Sequence, residues 1–567
     1  MKYESDILKR LINTYGVVGN PRYISEIIKE FIVRGKECYP NLFTYQSDWL
    51  AHIDEFGLTP EYTVSYTGQH IYAPNTKEKP VKRAILEGCT LVNLVTTDTS
   101  NGYTLTNDGT SLKGKDLDLI DGFDDKYYTI ILELSDVNIV NPNASWVVYI
   151  TTRSLDDKGA DNTTIKSYIK NGKVSLLYRP IRKRKTIKSF SITLHTDSGI
   201  GSSITISNVV VLDGDYTNVD IPYFIGMQSV KMPVLTTIGK NVVNPIEDLF
   251  VYRSGFTKPQ VLFENGGFNF ISEFNGSICG FRLPVKLLKD EMYYVKCDYE
   301  NMTTIRLYGS NVLSDEIDTT WETIVIDQNG GRFSFNKQFD YYYVAFYPNQ
   351  NSRMKIKNLQ IEQGSTATPY EPYKTNILTV NDDVELRGIG NVQDTLDCLT
   401  GELTQRIGEF VLDGSEEWSI NNSNNEGFFS CSTTTYVGVP NGKVISDKLP
   451  SVTSTKTEGV MLGVTTGKLL VSFNRDKTGV TSLAKFKEKL AQLQLKVCYE
   501  IENVDKTVGL TIHDKDQQKV EQLTSFDGGT HFTTSSQEGS ILPSLTVDVV
   551  TNLEETLKVC SLEGNTM

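Results

Sequence analysis

Histidines and carboxylates are the residues that catalysis most often needs, and neither set forms a recognisable reaction centre in this sequence. The 567 residues include five histidines: His52, His70, His195, His513 and His531. No His-Glu-x-x-His run is present, and none of the five lies beside a Gly-x-Ser-x-Gly nucleophile. A glycosidase needs two carboxylates at a set separation, but 70 Asp and Glu residues supply such pairs by chance. The sequence therefore predicts a protein that is not an enzyme.

Residues that bind metals are present but are not spaced as known sites require. The eight cysteines are scattered and form no Cys-x-x-Cys pair, which indicates buried free thiols rather than a zinc or redox site. Carboxylates do cluster in one stretch, at Asp116, Asp118, Asp121, Asp124 and Asp125. Their spacing is not that of an EF-hand loop, so a solvated turn is favoured over a structural Ca²⁺ site. No cofactor is expected.

One dense basic run stands out in an acidic chain of net charge −14. It comprises Arg179, Arg182, Lys183, Arg184, Lys185 and Lys188. A solvated strand face or hairpin explains it most simply; contact with a phosphate-rich wall polymer such as teichoic acid, or with an acidic neighbouring subunit, is the alternative. The overall negative charge repels polyanions at long range, so nucleic acid is not an expected partner.

Aromatic side chains are the best candidates for ligand binding, because their flat faces stack on the apolar C–H patches of sugars. In the run from 341 to 347, Tyr341, Tyr343 and Tyr347 fall on one side of a strand, and Tyr342, Val344 and Phe346 fall on the other. One side must be core, so the other can form a platform. Two tryptophans, Trp146 and Trp321, are further candidates. For each ring, a place in the core is the competing interpretation.

The elements that would carry these residues are mostly strands. Residues 1–60 predict two amphipathic helices, which serve either as a cap on the next domain or as a docking element for a larger assembly. Beyond residue 88 the chain shows short alternating runs broken by Gly, Asn and Asp, as in β-sandwiches. One later helix is predicted over residues 482–491 from the stripe Leu483, Phe486 and Leu490.

Two blocks of the chain repeat each other. The openings 88–93 and 239–244 both run from Gly to Asn, which aligns Asn93 with Asn244, 151 positions later. The closings match at a constant offset of 150, since Asn208, Gly214 and Pro222 align with Asn358, Gly364 and Pro372. Matched ends framing strand-rich sequence predict two tandem sandwiches. The expected division is 1–60 helical, 61–87 linker, 88–230 and 231–378 jelly-roll β-sandwiches, and 379–567 a C-terminal β-rich module.

The repeated closings also carry a family resemblance. The stretch from Ile361 to Tyr373, with its Glu362-Gln363-Gly364 turn and Pro372-Tyr373 exit, resembles the ending of carbohydrate-binding-module-like jelly rolls in tail or baseplate proteins of phages and tailocins of Gram-positive bacteria. Similar phrases lie at 84–94, 212–230, 394–414, 525–531 and 541–543. The resemblance covers about residues 60–567 in the expected order; the first sixty residues lie outside it.

That resemblance implies an all-β structural protein of the virion, tail-fibre-like and assembled in the host cytoplasm. It also implies a homo-oligomer, with a trimer as one arrangement, that docks on other tail proteins through residues 1–60 and contributes to recognition of cell-wall glycan. Two alternatives remain: a bacterial carbohydrate-binding adhesin, and a cell-wall glycan depolymerase. The first is weakened because residues 1–6 lack the apolar core of a signal peptide. No run approaches the roughly 20 apolar residues that span a bilayer, so no membrane partner is expected.

Overall fold

The computed structural model describes residues 62–551, apart from 125, 145–146, 154–159, 165–169, 181–188, 218, 265, 274–277, 381–383, 423–426, 436 and 508–524. The predicted helical region 1–60 lies outside this range. Antiparallel sheets dominate the described chain, so the predicted all-β class is confirmed. In the described part, no helix is both long and apolar enough to cross a membrane.

Residues 62–92 form four short strands, so the prediction of a linker over 61–87 is wrong. Val81, Ala84 and Leu86 point into a core and are almost fully buried. The strands that pair with these four lie at 227–229, 395–397 and 530–551, so no local signal indicates the pairing. The strands are β1 (Tyr62–Gly68), β2 (His70–Ala73), β3 (Val81–Glu87) and β4 (Thr90–Val92).

The next part of the chain folds into a sandwich, here called the first sandwich. Its strands are β5 (Tyr103–Thr106), β6 (Lys113–Asp118), β7 (Tyr128–Asn138), β8 (Val148–Arg153), β9 (Ala160–Thr164), β10 (Gly172–Tyr178), β11 (Ser189–Leu194) and β12 (Ser203–Asp213). They form two sheets, ordered β10-β7-β12-β5 and β6-β11-β8-β9. Phe190, Ile192 and Leu194 alternate along β11 into the core between the sheets, as the period of a strand requires.

Two connecting strands, β13 (Met227–Lys231) and β14 (Val234–Ile238), lead to the second sandwich. Its strands are β15 (Phe250–Arg253), β16 (Val261–Glu264), β17 (Gly267–Phe270), β18 (Cys279–Arg282), β19 (Tyr293–Glu300), β20 (Met302–Ser310), β21 (Glu316–Ile317), β22 (Glu322–Asp327), β23 (Gly331–Phe333), β24 (Tyr341–Pro348) and β25 (Lys355–Gln363). The sheets are ordered β21-β15-β18-β24-β20-β22 and β16-β17-β25-β19-β23.

Both sandwiches connect eight strands in the same order. Numbering the strands of the first from one to eight gives sheets ordered 1-8-3-6 and 2-7-4-5, the arrangement of a jelly roll. In the second, β17–β20 and β22–β25 give the same two orders, and β15, β16 and β21 are additions at the sheet edges. The duplication seen in the sequence is therefore a duplication of topology.

A buried asparagine fastens the opening of each sandwich to its closing strand and exit. The amide nitrogen of Asn93 donates to the carbonyls of Val209 (3.2 Å) and Phe224 (2.9 Å), and its oxygen accepts from the N–H groups of Val95 and Val211. In the second sandwich the same four roles fall to Asn241, which donates to Leu359 (3.0 Å) and Glu371 (2.9 Å) and accepts from Val243 and Ile361. The sequence alignment of Asn93 with Asn244 was wrong by three positions.

The motif that carries the family resemblance holds the chain as it leaves the second sandwich. Glu362, only 3% exposed, accepts hydrogen bonds from the amide of Gln360 (2.7 Å) and from the backbone N–H of Thr368 (2.7 Å). The oxygen of Gln360 in turn accepts from the N–H of Glu371 (2.8 Å). Gly364 makes the turn at φ 136, a conformation that suits glycine. The motif thus has a structural role, which is to hold the chain as it leaves the second sandwich.

The predicted C-terminal module 379–567 is divided between two structures. Residues 403–507 form a third unit, in which sheet β32-β33-β36-β35 packs on a helix and on strands that continue into a larger sheet. The elements of this whole part of the chain, inside and outside the third unit, are β26 (Thr375–Thr379), β27 (Glu385–Leu386), β28 (Gly388–Ile389), β29 (Val392–Gln393), β30 (Thr395–Asp397), β31 (Leu403–Leu412), β32 (Trp418–Asn422), β33 (Phe428–Thr433), β34 (Val444–Ser446), β35 (Gly459–Leu462), β36 (Leu469–Asn474), α1 (Arg475–Thr478), α2 (Leu483–Leu493), β37 (Leu495–Thr507), β38 (Thr530–Ser535) and β39 (Ser544–Thr551).

The helix predicted near residue 483 is confirmed as α2. The hydroxyl of Ser482 accepts from the N–H of Lys485 and caps the first turn. Phe486 and Leu490 are fully buried, and the ring of Phe486 meets those of Trp418 and Phe473 edge-on. The helix ends at Gln494 in the left-handed conformation, and the chain turns directly into β37.

The strands that remain form a structural centre, here called the hub: β1–β4, β13, β14, β26–β30, the first residues of β31, β38 and β39. Strand β39 lies between β1 and β3, and β38 lies between β2 and β14. Leu235, Leu386, Phe532 and Leu545, which come from four separate parts of the chain, share its core. The chain therefore leaves the hub three times, builds a unit each time, and returns.

Replacing Asn241 by alanine tests the asparagine clamp. The change leaves two buried carbonyls and two N–H groups without their partner, so we expect the second sandwich to lose about 3 kcal/mol of stability. Asn244→Ala is the matched control, since its side chain lies outside the clamp, and it should change stability by less than about 0.5 kcal/mol. Urea denaturation followed by tyrosine and tryptophan fluorescence measures both. Equal effects of the two variants would show that the clamp is not what holds the opening strand.

Candidate functional site

The tyrosines singled out in the sequence lie on the outer face of the six-stranded sheet of the second sandwich. Along β24, Tyr342 and its alternate neighbours Val344 and Phe346 point into the sandwich core. Tyr341, Tyr343 and Tyr347 point the other way, as the strand period requires, and join a separate cluster on the outside of the sheet. We call this surface the outer aromatic face.

Trp321 reaches the same face from a different part of the chain. A turn at 318–321 places it there: the N–H of Trp321 donates to the carbonyl of Asp318 (3.2 Å), just before β22 begins. Its ring lies 4.9 Å from that of Tyr343, with an angle of 33° between the planes. The structure therefore brings together four of the five candidate rings. The fifth, Trp146, lies outside the described residues.

The four rings have different roles because they differ in burial. Tyr343 is fully buried, and its hydroxyl donates to the carbonyl of Val312 and accepts from the N–H of Ser314, both at 3.2 Å. It supports the loop that carries Trp321 and is not available to a ligand. Trp321, Tyr341 and Tyr347 are half-buried. These three rings form the part of the outer aromatic face that a ligand can contact.

Arg306 belongs to the site and was missed in the sequence. It lies on β20 directly across from Ala345, and its guanidinium carbon is 4.1 Å from the centre of the Tyr347 ring. This is a close cation–π contact. Its Nε is buried and makes no hydrogen bond within the described chain. A single arginine in a β strand carries no sequence signal; only the register of β20 against β24 reveals that it meets a tyrosine.

The neighbours of Arg306 complete the face. Val325, across from it on β22, is 57% exposed, so the ring of Tyr347 and the arginine continue into an open apolar surface. Arg282 lies across from Tyr343 on β18 and makes no ion pair with any described residue. The site thus combines flat rings, a valine and two cationic side chains on one sheet.

The hydroxyl groups beneath the face remain protonated at neutral pH. Burial raises the pKa of Tyr308 to about 12; the neighbouring Tyr347 adds to that rise and Arg306 opposes it. Burial also raises the pKa of Tyr343. A protonated phenol can donate as well as accept a hydrogen bond, as the Tyr343 hydroxyl does between Val312 and Ser314.

The structure gives the other candidate groups no shared chemistry. Asp116 and Asp118 are exposed on β6, while Asp121 accepts from the N–H of Gly122 and the N–H of Asp124 donates to Tyr128. Among the described residues, no three His, Cys, Asp or Glu side chains gather as metal ligands. The six described cysteines are free. Of the basic run, residues 182–188 lie outside the described residues, and Arg179 lies over the ring of Tyr127 at 5.3 Å.

Two histidines meet inside the hub, which the sequence did not indicate. The rings of His70 on β2 and His531 on β38 are 6.3 Å apart, and Tyr72 packs 4.8 Å from His531. Nδ1 of His70 bonds the hydroxyl of Thr533 at 3.0 Å. Its Nε2 and both nitrogens of His531 are buried and have no hydrogen-bond partner in the described chain. Burial, with Lys286 adding to it, lowers the pKa of His70 to about 4, and burial lowers that of His531 to about 3.

The histidine pair should make the hub sensitive to acid. Both groups are neutral when folded and titrate near pH 6.5 when unfolded, so their contribution is complete above pH 6.5 and is lost as the pH falls towards 4. For His70 alone the loss is about 3 kcal/mol at pH 4. His531→Phe should flatten the dependence of the melting temperature on pH between 7 and 4. His195→Gln, which changes a histidine outside the hub, should leave the slope as in the wild type; a flattened slope in that variant would contradict the assignment.

Comparison with known proteins adds no close relative. No protein-family model matches the chain, and no curated protein matches it. The arabinofuranosyltransferase AftD from mycobacteria is 9% identical with a TM-score of 0.17, over 87% of this chain and 36% of its own, so the chain spans little more than a third of that protein. Pumpkin seed globulin is 9% identical with a TM-score of 0.08, over 53% of this chain and 87% of its own. Likenesses of this size bear on neither fold nor function.

Proposed function

We propose that this chain is a structural and adhesive component of a phage or tailocin tail, and that the outer aromatic face of its second sandwich contacts host cell-wall glycan. The role is mechanical and non-enzymatic. One observation carries the adhesive part of the proposal, namely that the two sandwiches share a topology but not this face.

The equivalent sheet of the first sandwich shows what the fold itself requires. There, strand β11 occupies the position of β24 and carries Ser191 and Thr193 on its outer side, with Thr193 across from Tyr149 of β8, and all three side chains are buried. The same jelly roll is thus built with two small hydroxyl side chains on the outer side of this strand, where the second sandwich has tyrosines. Because packing does not demand the cluster of Trp321, Tyr341 and Tyr347, a ligand is the best explanation for it.

The chemistry of the face suits a sugar polymer. Half-buried tyrosine and tryptophan rings offer flat apolar surfaces at a low cost in conformational entropy. Arg306 stacks on one of these rings and adds N–H groups as hydrogen-bond donors. A single shallow face of this kind binds weakly, and several copies in one particle would raise the effective affinity.

Two features of the hub support the role in a tail. Tyr62 of β1 lies across from Thr551 of β39, so the two ends of the described chain leave the hub side by side. The three units are inserted at other points of the chain, between strands of the hub. We propose that residues 1–60 bind other tail or baseplate proteins, and that the chain acts as a homo-oligomer, a trimer being one arrangement.

Binding to purified walls tests the adhesive proposal. The full chain is incubated with walls from a panel of Gram-positive bacteria, and the bound fraction is measured by sedimentation. We expect Tyr347→Ala to weaken binding at least about tenfold, since aromatic truncations at the centre of an interface cost about 2 kcal/mol or more.

Tyr127→Ala is the matched control, because Tyr127 is 48% exposed but lies on the first sandwich. It should bind walls as the wild type does. Equal loss in both variants, with unchanged melting temperatures, would count against the outer aromatic face.

For the tail role, antibodies against the chain should label one end of purified particles; labelling of cells but never of particles would favour the surface adhesin.

A further inference from the structure

We infer that the glycan held by the outer aromatic face carries an oxyanion, a phosphodiester or a carboxylate, which binds the guanidinium of Arg306. This inference rests on the proposed function and specifies the class of its ligand.

Arg306 is held in place without an acidic partner. Stacking on Tyr347 at 4.1 Å fixes the plane of the guanidinium, and the buried Nε has no hydrogen bond in the described chain. None of the ion pairs formed by described residues includes Arg306; other ion pairs of the same sandwich join Lys337 to Glu322 and Lys286 to Asp340. In a chain of net charge −14, a half-buried arginine that has found no carboxylate is available to an external anion.

The carboxylates around the face are engaged with neutral donors. Glu316 accepts from the hydroxyl of Tyr252 at 3.1 Å. Asp327 accepts from the backbone N–H of Asn329 at 2.9 Å and from its side-chain amide at 2.6 Å. Asp318 accepts from the N–H of Thr320 at 2.8 Å. Asp315 is exposed at the end of the face that carries Trp321. These acidic groups line the rim, so the positive charge is concentrated where Arg306 and Tyr347 meet.

The geometry suits an anion on a polyol or sugar chain better than a neutral sugar. Arg306 interacts with the buried hydroxyl of Tyr308, and its remaining N–H groups can match two oxygens of a phosphate or carboxylate at once. The adjoining ring and the exposed Val325 can cover the apolar part of the repeating unit. Phosphate and carboxylate polymers share this chemistry, and the experiment below distinguishes them.

The test uses the full chain and two variants of matched charge. Arg306→Gln removes the guanidinium from the face, and Arg332→Gln removes an exposed arginine from β23 in the opposite sheet. Binding is measured to poly(glycerol phosphate), to polygalacturonate and to neutral chitin oligosaccharides, in 50 mM and 300 mM salt. We expect one of the two anionic polymers to bind at least tenfold more tightly than the neutral sugar, with Arg306→Gln reversing most of that preference and Arg332→Gln leaving it unchanged.

The source of the anion is identified with walls extracted with hydrofluoric acid, which cleaves phosphodiesters. Loss of binding after extraction indicates a phosphate polymer, and retained binding that still depends on Arg306 indicates a carboxylate. Equal binding of Arg306→Gln and wild type to every anionic probe overturns the inference. If Tyr347→Ala abolishes wall binding while Arg306→Gln does not, the inference fails and the proposed function stands. If the wild type binds no wall and no polymer, both are wrong.

Discussion

Pairing between the beginning and the end of the described chain is the constraint on which the architecture depends. Strand β39 lies between β1 and β3, and β38 lies between β2 and β14, so residues near 65 and near 548 share one ladder of hydrogen bonds. The core of the hub is filled only when all of its segments are present, because none of them is longer than a few strands. The three units can diverge in surface and function as long as each returns its chain to the hub at the same place.

Short-range patterns in the sequence predicted the local elements well, but they did not predict which strands pair over long distances in the chain. Alternation along β24 and the stripe Phe486 and Leu490 on α2 follow from the periods of strand and helix, and the structure places one side of β24 and this stripe in the cores. The strands of 62–87 were taken for a linker, because their partner β39 lies more than 450 residues away in the chain. Periodicity shows that a strand has two faces; it does not show what pairs with its edges.

The same limit explains the two misjudged side chains. Asn93 was aligned with Asn244 because both openings run from Gly to Asn, whereas the clamp is defined by the Leu359 carbonyl and the Ile361 N–H of a strand more than 110 residues later. Arg306 was overlooked because its importance comes from the register that sets β20 against β24. In both cases the deciding contact is between strands, and a single sequence contains no measure of register. The closing motif was easier to find because Gln360, Glu362 and Thr368 lie close together in the chain.

Interleaving of the hub with its three units has a consequence for synthesis on the ribosome. Each sandwich contains all of its own strands in one continuous stretch, so it can fold as soon as that stretch has emerged, which is how domains generally fold. The hub cannot fold at that stage, since its last two strands are made after all of its other strands and after the three units. A nascent chain therefore carries finished sandwiches on an open, apolar centre until residue 551 appears. That interval is when the protein is most exposed to aggregation and to chaperones, and it grows longer with every residue added to an inserted unit.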